Sequence, residues 1–281
     1  MSALTQEAKS FLGQLNASAR KRLGQNFMVE ECELSFIAGS MSWEAGESVL
    51  EIGPGLGFLT RHLLQRRLKV LAVEKDRLYA KFLERYFKNE AFQILEKDIL
   101  SVDLKKDFPL AGPIRVIGNI PYNITSPILD WLVYQRKWIR ETVLTTQLEV
   151  AERLAAVPGT KSWGPLSVFL RLYANVHLLK KIGKSSFYPA PKVDSAVIKI
   201  EWLDKPRFEV RDEEDFFKLV RRAFQKRRKT LLNALADDKV ESYSKMRLAQ
   251  IFEEAAIDSM RRAETLTLEE WGRLHLALGL C

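Results

Sequence analysis

Four consecutive residues, Asn119-Ile120-Pro121-Tyr122, combine a side-chain amide, a stiff proline and an aromatic face. An amide oxygen and a neighbouring backbone carbonyl can accept both hydrogens of an aromatic amine, and a tyrosine ring gives a base a surface to stack on. The lone pair of such an amine is delocalised and poorly nucleophilic. Holding both hydrogens draws the nitrogen toward tetrahedral geometry and aims the lone pair outward. Catalysis of this kind is mostly positioning and needs no obligatory titrating base. A second cluster, Glu51-Ile52-Gly53-Pro54-Gly55-Leu56-Gly57, carries the glycines that let a ligand approach the backbone. Its third glycine comes one residue earlier than in the dinucleotide pattern, which would put glycine at Phe58. Glu74 follows about 20 residues on, where a carboxylate can accept from two ribose hydroxyls. Asp98 could accept from an adenine amine. Taken singly, the loop reads equally well as an ordinary glycine-rich turn, and Asn-Pro also suits a turn.

The elements around these residues decide between the readings. Val49-Leu50-Glu51-Ile52 reads as a strand that ends at the glycine cluster, with a helix over 59–67 behind it. A second strand runs over 69–73 and ends before Glu74, and a helix follows over 77–88. A third strand, 92–95, precedes Asp98, and a fourth, 114–117, leads into Asn119. Strands alternating with helices predict a parallel α/β sheet, in which ligands bind at the carboxyl ends of strands. Glu74, Asp98 and Asn119 all stand at such ends. A later strand, 193–202, is followed by the junction Asp204-Lys205-Pro206-Arg207 and then by helical periodicity from Glu213. The expected organisation is a catalytic domain over 1–204 and a small all-helical, RNA-binding C-terminal domain over 205–281.

Composition narrows the partners. The 281 residues are 47% hydrophobic, enough for a sizeable core, and carry a net charge of +8. That balance suits a polyanion such as nucleic acid. Two cysteines and three histidines fall at no zinc-ligand spacing, so no metal is expected, and no disulfide framework either. Neither a signal peptide nor a membrane span is legible, which predicts a cytoplasmic protein.

The glycine loop resembles that of S-adenosylmethionine-dependent methyltransferases. The tetrapeptide resembles the [ND]-P-P-[YF] signature of amine-directed nucleic-acid methylases, with Ile120 in place of the first proline. More specifically, the chain resembles the small-subunit ribosomal RNA adenine N6,N6-dimethyltransferase family, the kasugamycin-resistance methylases, from about Arg20 to Leu235. The resemblance rests on Lys21-Arg22-Leu23-Gly24-Gln25-Asn26-Phe27, Glu51-Ile52-Gly53-Pro54-Gly55, Gly118-Asn119-Ile120-Pro121-Tyr122-Asn123, Glu149-Val150-Ala151-Glu152-Arg153-Leu154, the segment from Phe187 through Pro191 to Ser195, and Arg227-Arg228-Lys229-Thr230-Leu231. It implies a Rossmann-like α/β fold and cofactor contacts at Asn26, Met28, Gly53, Gly55, Glu74, Asp98 and Asn119. It implies that Phe187 forms a second aromatic wall around the target base. The implied reaction is double methylation of two adjacent adenines near the 3′ end of 16S rRNA, by a monomer acting on a small-subunit precursor. Three positions depart from the family's usual residues: Met28 stands for leucine, and Leu148 and Pro165 stand where basic residues are frequent.

Helical spacing puts Phe217, Val220, Phe224, Leu231 and Leu235 on one stripe and Lys218, Arg222, Lys226 and Lys229 on another. The basic stripe, together with Arg20, Lys21 and Arg22, is the expected phosphate-contacting surface, although isolated charges of this kind also serve simply as a solvated face. Two other functions fit the same fold: a large-subunit rRNA methylase of the macrolide-resistance type, and a catalytically silent RNA-binding assembly factor. The Phe187–Ser195 segment favours the small-subunit enzyme over the first. Intact Asn119 and Tyr122 speak against the second.

Overall fold

A computed structural model describes residues 2–15, 25–88, 90–226, 228–236 and 244–279. The strands are β1 (Phe27–Met28), β2 (Ser48–Ile52), β3 (Lys69–Glu74), β4 (Phe92–Glu96), β5 (Ile114–Asn119), β6 (Ile139–Gln147), β7 (Ala174–Ile182), β8 (Phe187–Tyr188) and β9 (Ser195–Trp202). The helices are α1 (Ala3–Gln14), α2 (Glu31–Ala38), α3 (Phe58–Gln65), α4 (Arg77–Tyr86), α5 (Leu104–Asp107), α6 (Thr125–Gln135), α7 (Leu148–Leu154), α8 (Pro165–Tyr173), α9 (Glu213–Gln225), α10 (Leu231–Ala236), α11 (Lys245–Glu254) and α12 (Leu268–Ala277).

Seven strands form one sheet in the order β4-β3-β2-β5-β6-β9-β7. The pairs β4–β3, β3–β2, β2–β5 and β5–β6 are parallel, and β9 runs antiparallel to β6. Parallel neighbours need crossovers, which α3 and α4 supply, and helices on the faces leave the central strands buried. Every β2 residue after Ser48 is buried accordingly. The order reverses at β2, whose neighbours are β3 on one side and β5 on the other. That reversal opens a crevice at the strands' carboxyl ends. A separate two-stranded pair, β1 with β8, sets Met28 opposite Phe187.

The chain forms two compact units, 1–151 with 177–202, and 152–176 with 203–281. The expected division at residue 205 therefore needs a correction: 152–176 joins the C-terminal residues. The reason is local packing within that unit. Trp163 Nε1 donates to the Leu266 carbonyl at 3.1 Å, and the Phe169 and Phe217 rings lie 4.2 Å apart.

The basic helical stripe is also corrected. α9 ends at Gln225, so no single helix carries Lys218 through Lys229. The buried face of α9 is Phe216, Leu219, Val220, Ala223 and Phe224, with Phe217 only half-buried. Lys218 is paired with Glu214 at 3.0 Å and Asp215 at 3.3 Å. Arg222 donates to the Leu235 carbonyl at 3.3 Å. Lys226 is the half-buried residue that ends α9. Lys229 is exposed. Arg20, Lys21 and Arg22 lie outside the described residues.

Candidate active site

Gly57 shows why the loop after β2 must be glycine. Its φ is +81°, and a Cβ there would sit 2.7 Å from Leu83 Cδ2 and 2.8 Å from Phe87 Cε2. Gly55, at φ +58°, would put a Cβ 3.0 Å from the Phe27 ring. The loop is thus pressed against α4 on one side and β1 on the other, and its backbone faces a cavity.

That cavity is lined by Asn26, Met28, Gly53, Gly55, Glu74, Asp98, Asn119, Ile120, Pro121 and Tyr122, among others. Every residue expected at the cofactor or in the tetrapeptide is therefore brought together. Phe187 is not among the lining residues. It is 3% exposed and belongs to the main apolar core, where its strand partner is Met28. In this conformation its side chain packs in that core and is absent from the cavity lining. Neighbours in sequence cannot reveal which way a side chain in a two-residue strand points.

Glu74 ends β3 with both carboxylate oxygens already bonded to backbone. Gly55 N–H donates to one at 3.2 Å and Asp76 N–H to the other at 2.8 Å. Burial raises its pKa above the ordinary carboxylate value, and these backbone donors oppose the rise. The Lys75 backbone N–H bonds the same carboxylate, and a carboxylate's four lone-pair sites exceed these three donors. Asp98 accepts from Lys75 Nζ at 2.6 Å and from Leu100 N–H at 3.1 Å. Burial resists its ionisation, but the Lys75 ammonium and the backbone donor hold it below the usual aspartate range.

Asn119 is the last residue of β5. Its Nδ2 donates one N–H to the Asn26 carbonyl at 3.1 Å, which orients the amide and leaves Oδ1 able to accept. Ile120 N–H donates to Thr145 O at 3.3 Å, so the tetrapeptide is pinned to β6. Pro121 leads into a single 3₁₀ turn, Tyr122–Ile124. The Tyr122 hydroxyl lies 2.5 Å from Ser195 Oγ, at the start of β9. Burial raises the phenol's pKa, opposed by that hydrogen bond.

Two residues of the site were missed as site residues from sequence. Ser195 fixes Tyr122 yet reads only as the end of a recognisable segment. Glu51, 1% exposed, lines the cavity and accepts from Thr60 Oγ1 at 2.7 Å. Burial pushes its pKa up to about 8. Its place directly before the glycines was the available signal. Among the described residues no group of three or more His, Cys, Asp or Glu could hold a metal ion.

The donor set suits S-adenosylmethionine. Glu74 and Asp98 supply carboxylate acceptors at the strand ends, and glycines without Cβ atoms border the cavity.

A family model described as ribosomal RNA adenine dimethylase matches residues 16–273. The chain is 42% identical over 255 residues to ribosomal RNA small subunit methyltransferase A of Desulfitobacterium hafniense, covering 91% of this chain and 90% of that one. It is 38% identical to the protein of the same name from Clostridium acetobutylicum, over 90% and 91% of the two chains. Among solved structures, a 23S rRNA methyltransferase, ErmE, superposes with a TM-score of 0.69 at 26% identity, over 90% of this chain and all of that one. A dimethyladenosine transferase from Plasmodium falciparum shares the fold with a TM-score of 0.74 at 24% identity, over 89% and 96%.

Proposed function

Since the chain belongs to the ribosomal RNA adenine dimethylase family, we propose that it methylates the N6 amines of two adjacent adenines near the 3′ end of 16S rRNA, twice each, during small-subunit assembly. It is an S-adenosylmethionine-dependent rRNA methyltransferase. The small-subunit substrate is favoured over the large-subunit one by near-full-length relatives of 36–42% identity that carry the small-subunit name. No helix among the described residues is long and apolar enough to cross a membrane, and the proposed action on ribosomal precursors favours the cytoplasm. It works as a monomer in this reading.

The cofactor supplies an electrophilic methyl group on a sulfonium. Asn26, Met28, Gly53, Gly55, Glu74 and Asp98 hold it, with Glu74 taking the ribose hydroxyls. In the first transfer Asn119 Oδ1 and the backbone beside Ile120 and Pro121 accept the two N6 hydrogens; in the second the monomethylated amine gives its one remaining hydrogen to this acceptor pair, and in both the lone pair is held toward where the cofactor would lie. Tyr122 stacks on the extruded adenine. The proton leaves the alkylated amine, which is acidic, for solvent. The helical C-terminal residues, Lys229 among them, contact phosphates, as do Arg20, Lys21 and Arg22.

The observation that carries this reading is the Asn119–Asn26 hydrogen bond, because it fixes the amide of a cavity-lining residue through one N–H and leaves Oδ1 able to accept. Asn119→Ala is expected to slow single-turnover methyl transfer roughly 10- to 100-fold, the worth of one hydrogen bond to a charge-developing group. RNA affinity, measured separately, changes little. Methylation at the parental rate would show that the tetrapeptide is only a turn.

A further inference from the structure

Two chain segments converge on one surface of the catalytic unit. One is the start of α5, with Lys105 and Lys106. The other is the end of α6 and the following turn, Tyr134 to Arg140. Their meeting is built from buried bonds. Trp131 Nε1 donates to the Val102 carbonyl at 2.8 Å, and the buried Gln135 side chain accepts from Leu104 N–H at 3.2 Å. Lys105 Nζ lies 5.6 Å from the centre of the Trp138 ring.

The chemistry of the surface is distinctive. Tyr134 is 79% exposed, the largest value among the exposed large hydrophobic residues described. Arg136, Lys137 and Arg140 follow it in the chain, and Lys105 and Lys106 stand on the segment that packs against the end of α6. The acids on the same segments are Asp103, paired with Lys106 at 3.2 Å, Asp107, paired with Lys97 at 2.6 Å, and the exposed Asp130. Lys137 and Arg140 are exposed and have no side-chain partner among the described residues. Tyr134 is thus held out in water on the same segment as the exposed Lys137 and Arg140. Charge and ring together match single-stranded nucleic acid, whose phosphates take the cations and whose bases stack on aromatics.

The distance gives the surface its meaning. It sits at the Ile139 end of β6, whereas Thr145, which pairs with Asn119, is near the other end. Six residues of strand separate them, about 20 Å. No nucleotide at the reacting position reaches that far.

We propose that the Lys105–Arg140 surface around Tyr134 is a second RNA-docking site, which takes an unpaired stretch of the rRNA remote from the target adenines. This rests on the rRNA substrate proposed above. The site contributes affinity for the assembled substrate and leaves the chemical step untouched.

The test uses the full chain and undermethylated small subunits. Lys105→Ala/Lys137→Ala/Arg140→Ala is expected to flatten the slope of log K against log salt by about 2–3, from 0.7–0.9 per phosphate contact. Tyr134→Ala is expected to weaken binding at least about 5-fold, and Tyr134→Phe to restore it, because stacking needs only the ring. Cofactor affinity and the methyl-transfer rate at saturating subunits stay parental, as the fold and the site are intact. An unchanged salt slope overturns the proposal, including the case in which affinity falls through a protein contact. If the parental enzyme itself fails to methylate the subunits, the assigned reaction fails instead, and the two failures are read from different lanes of one experiment.

Discussion

The Tyr122–Ser195 hydrogen bond makes a quantitative prediction about how the stacking ring is held. At 2.5 Å, with Ser195 fully buried and Tyr122 half-buried, the pair is a short neutral bond shielded from water. Ser195→Ala leaves the phenol without its partner, and Tyr122→Phe does the same to the serine. Each single change carries the desolvation cost of an orphaned group, about 1–3 kcal/mol. The double variant orphans nothing, so its cost falls below the sum of the two singles by roughly 1 kcal/mol or more. The same coupling is expected in function. With the bond gone, the ring is free to rotate, and the single variants should raise the subunit concentration needed for half-maximal single-turnover rate more than they lower the limiting rate. Urea unfolding gives the stability cycle, and tritiated-methyl transfer over a range of subunit concentrations gives the functional one. Additive effects in both cycles would refute the argument, because serine would then act independently of the ring it touches.

Two further predictions concern pH. Glu51 has its pKa raised to about 8 by burial, so the folded protein binds a proton there that the unfolded chain releases above pH 4.5. The corresponding stability is full below pH 4.5 and is lost as pH rises through 8; Glu51→Gln should flatten the decline over that window in urea titrations, and an unaltered profile would show that Glu51 is not its source. His275 runs the other way. It is buried in the C-terminal unit, edge-on to Phe216 at 5.5 Å, and neither ring nitrogen has a hydrogen-bond partner. Burial lowers its pKa, with Asp215 and Asp212 opposing, so stability is full above pH 6.5 and falls as the unfolded chain takes up its proton below that value. His275→Leu should keep its melting temperature under mild acid better than the parent, and a variant that loses it equally would place the acid sensitivity elsewhere.

What could be read from sequence follows from what each element exposes to pattern. β2, β3, β4 and β5 are short apolar runs that end at glycine, acid or asparagine, and the strand ends therefore located Glu74, Asp98 and Asn119 before any coordinates. β6 escaped because its interior contains Thr142, Thr145 and Thr146, all fully buried, and buried hydroxyls look like surface in a hydropathy reading. β7 escaped because Lys180 and Lys181 interrupt it. The long basic stripe failed where α9 stops. Lys226-Arg227-Arg228-Lys229 contains neither glycine nor proline to mark the break, and helical spacing was carried across it. The placement of 152–176 with the C-terminal residues depends on tertiary packing that no local pattern encodes. Phe187 was assigned by motif to the base-binding wall, and motif carries identity without direction.

The β1–β8 pair has a consequence for when the enzyme becomes able to act. Asn26 directly precedes β1, and β1 is held by strand partners at Phe187 and Tyr188, which the ribosome adds long after the glycine loop and the tetrapeptide. A nascent chain that has completed β2 through β5 already contains Glu74, Asp98 and Asn119, to which the proposed reaction assigns cofactor and amine. Until Phe187 and Tyr188 emerge, it lacks the clasp that seats the Asn26 carbonyl against Asn119. Translation thus withholds the last part of the active site until the catalytic unit is nearly finished, and an incomplete chain released early carries the motifs without the geometry that makes them reactive.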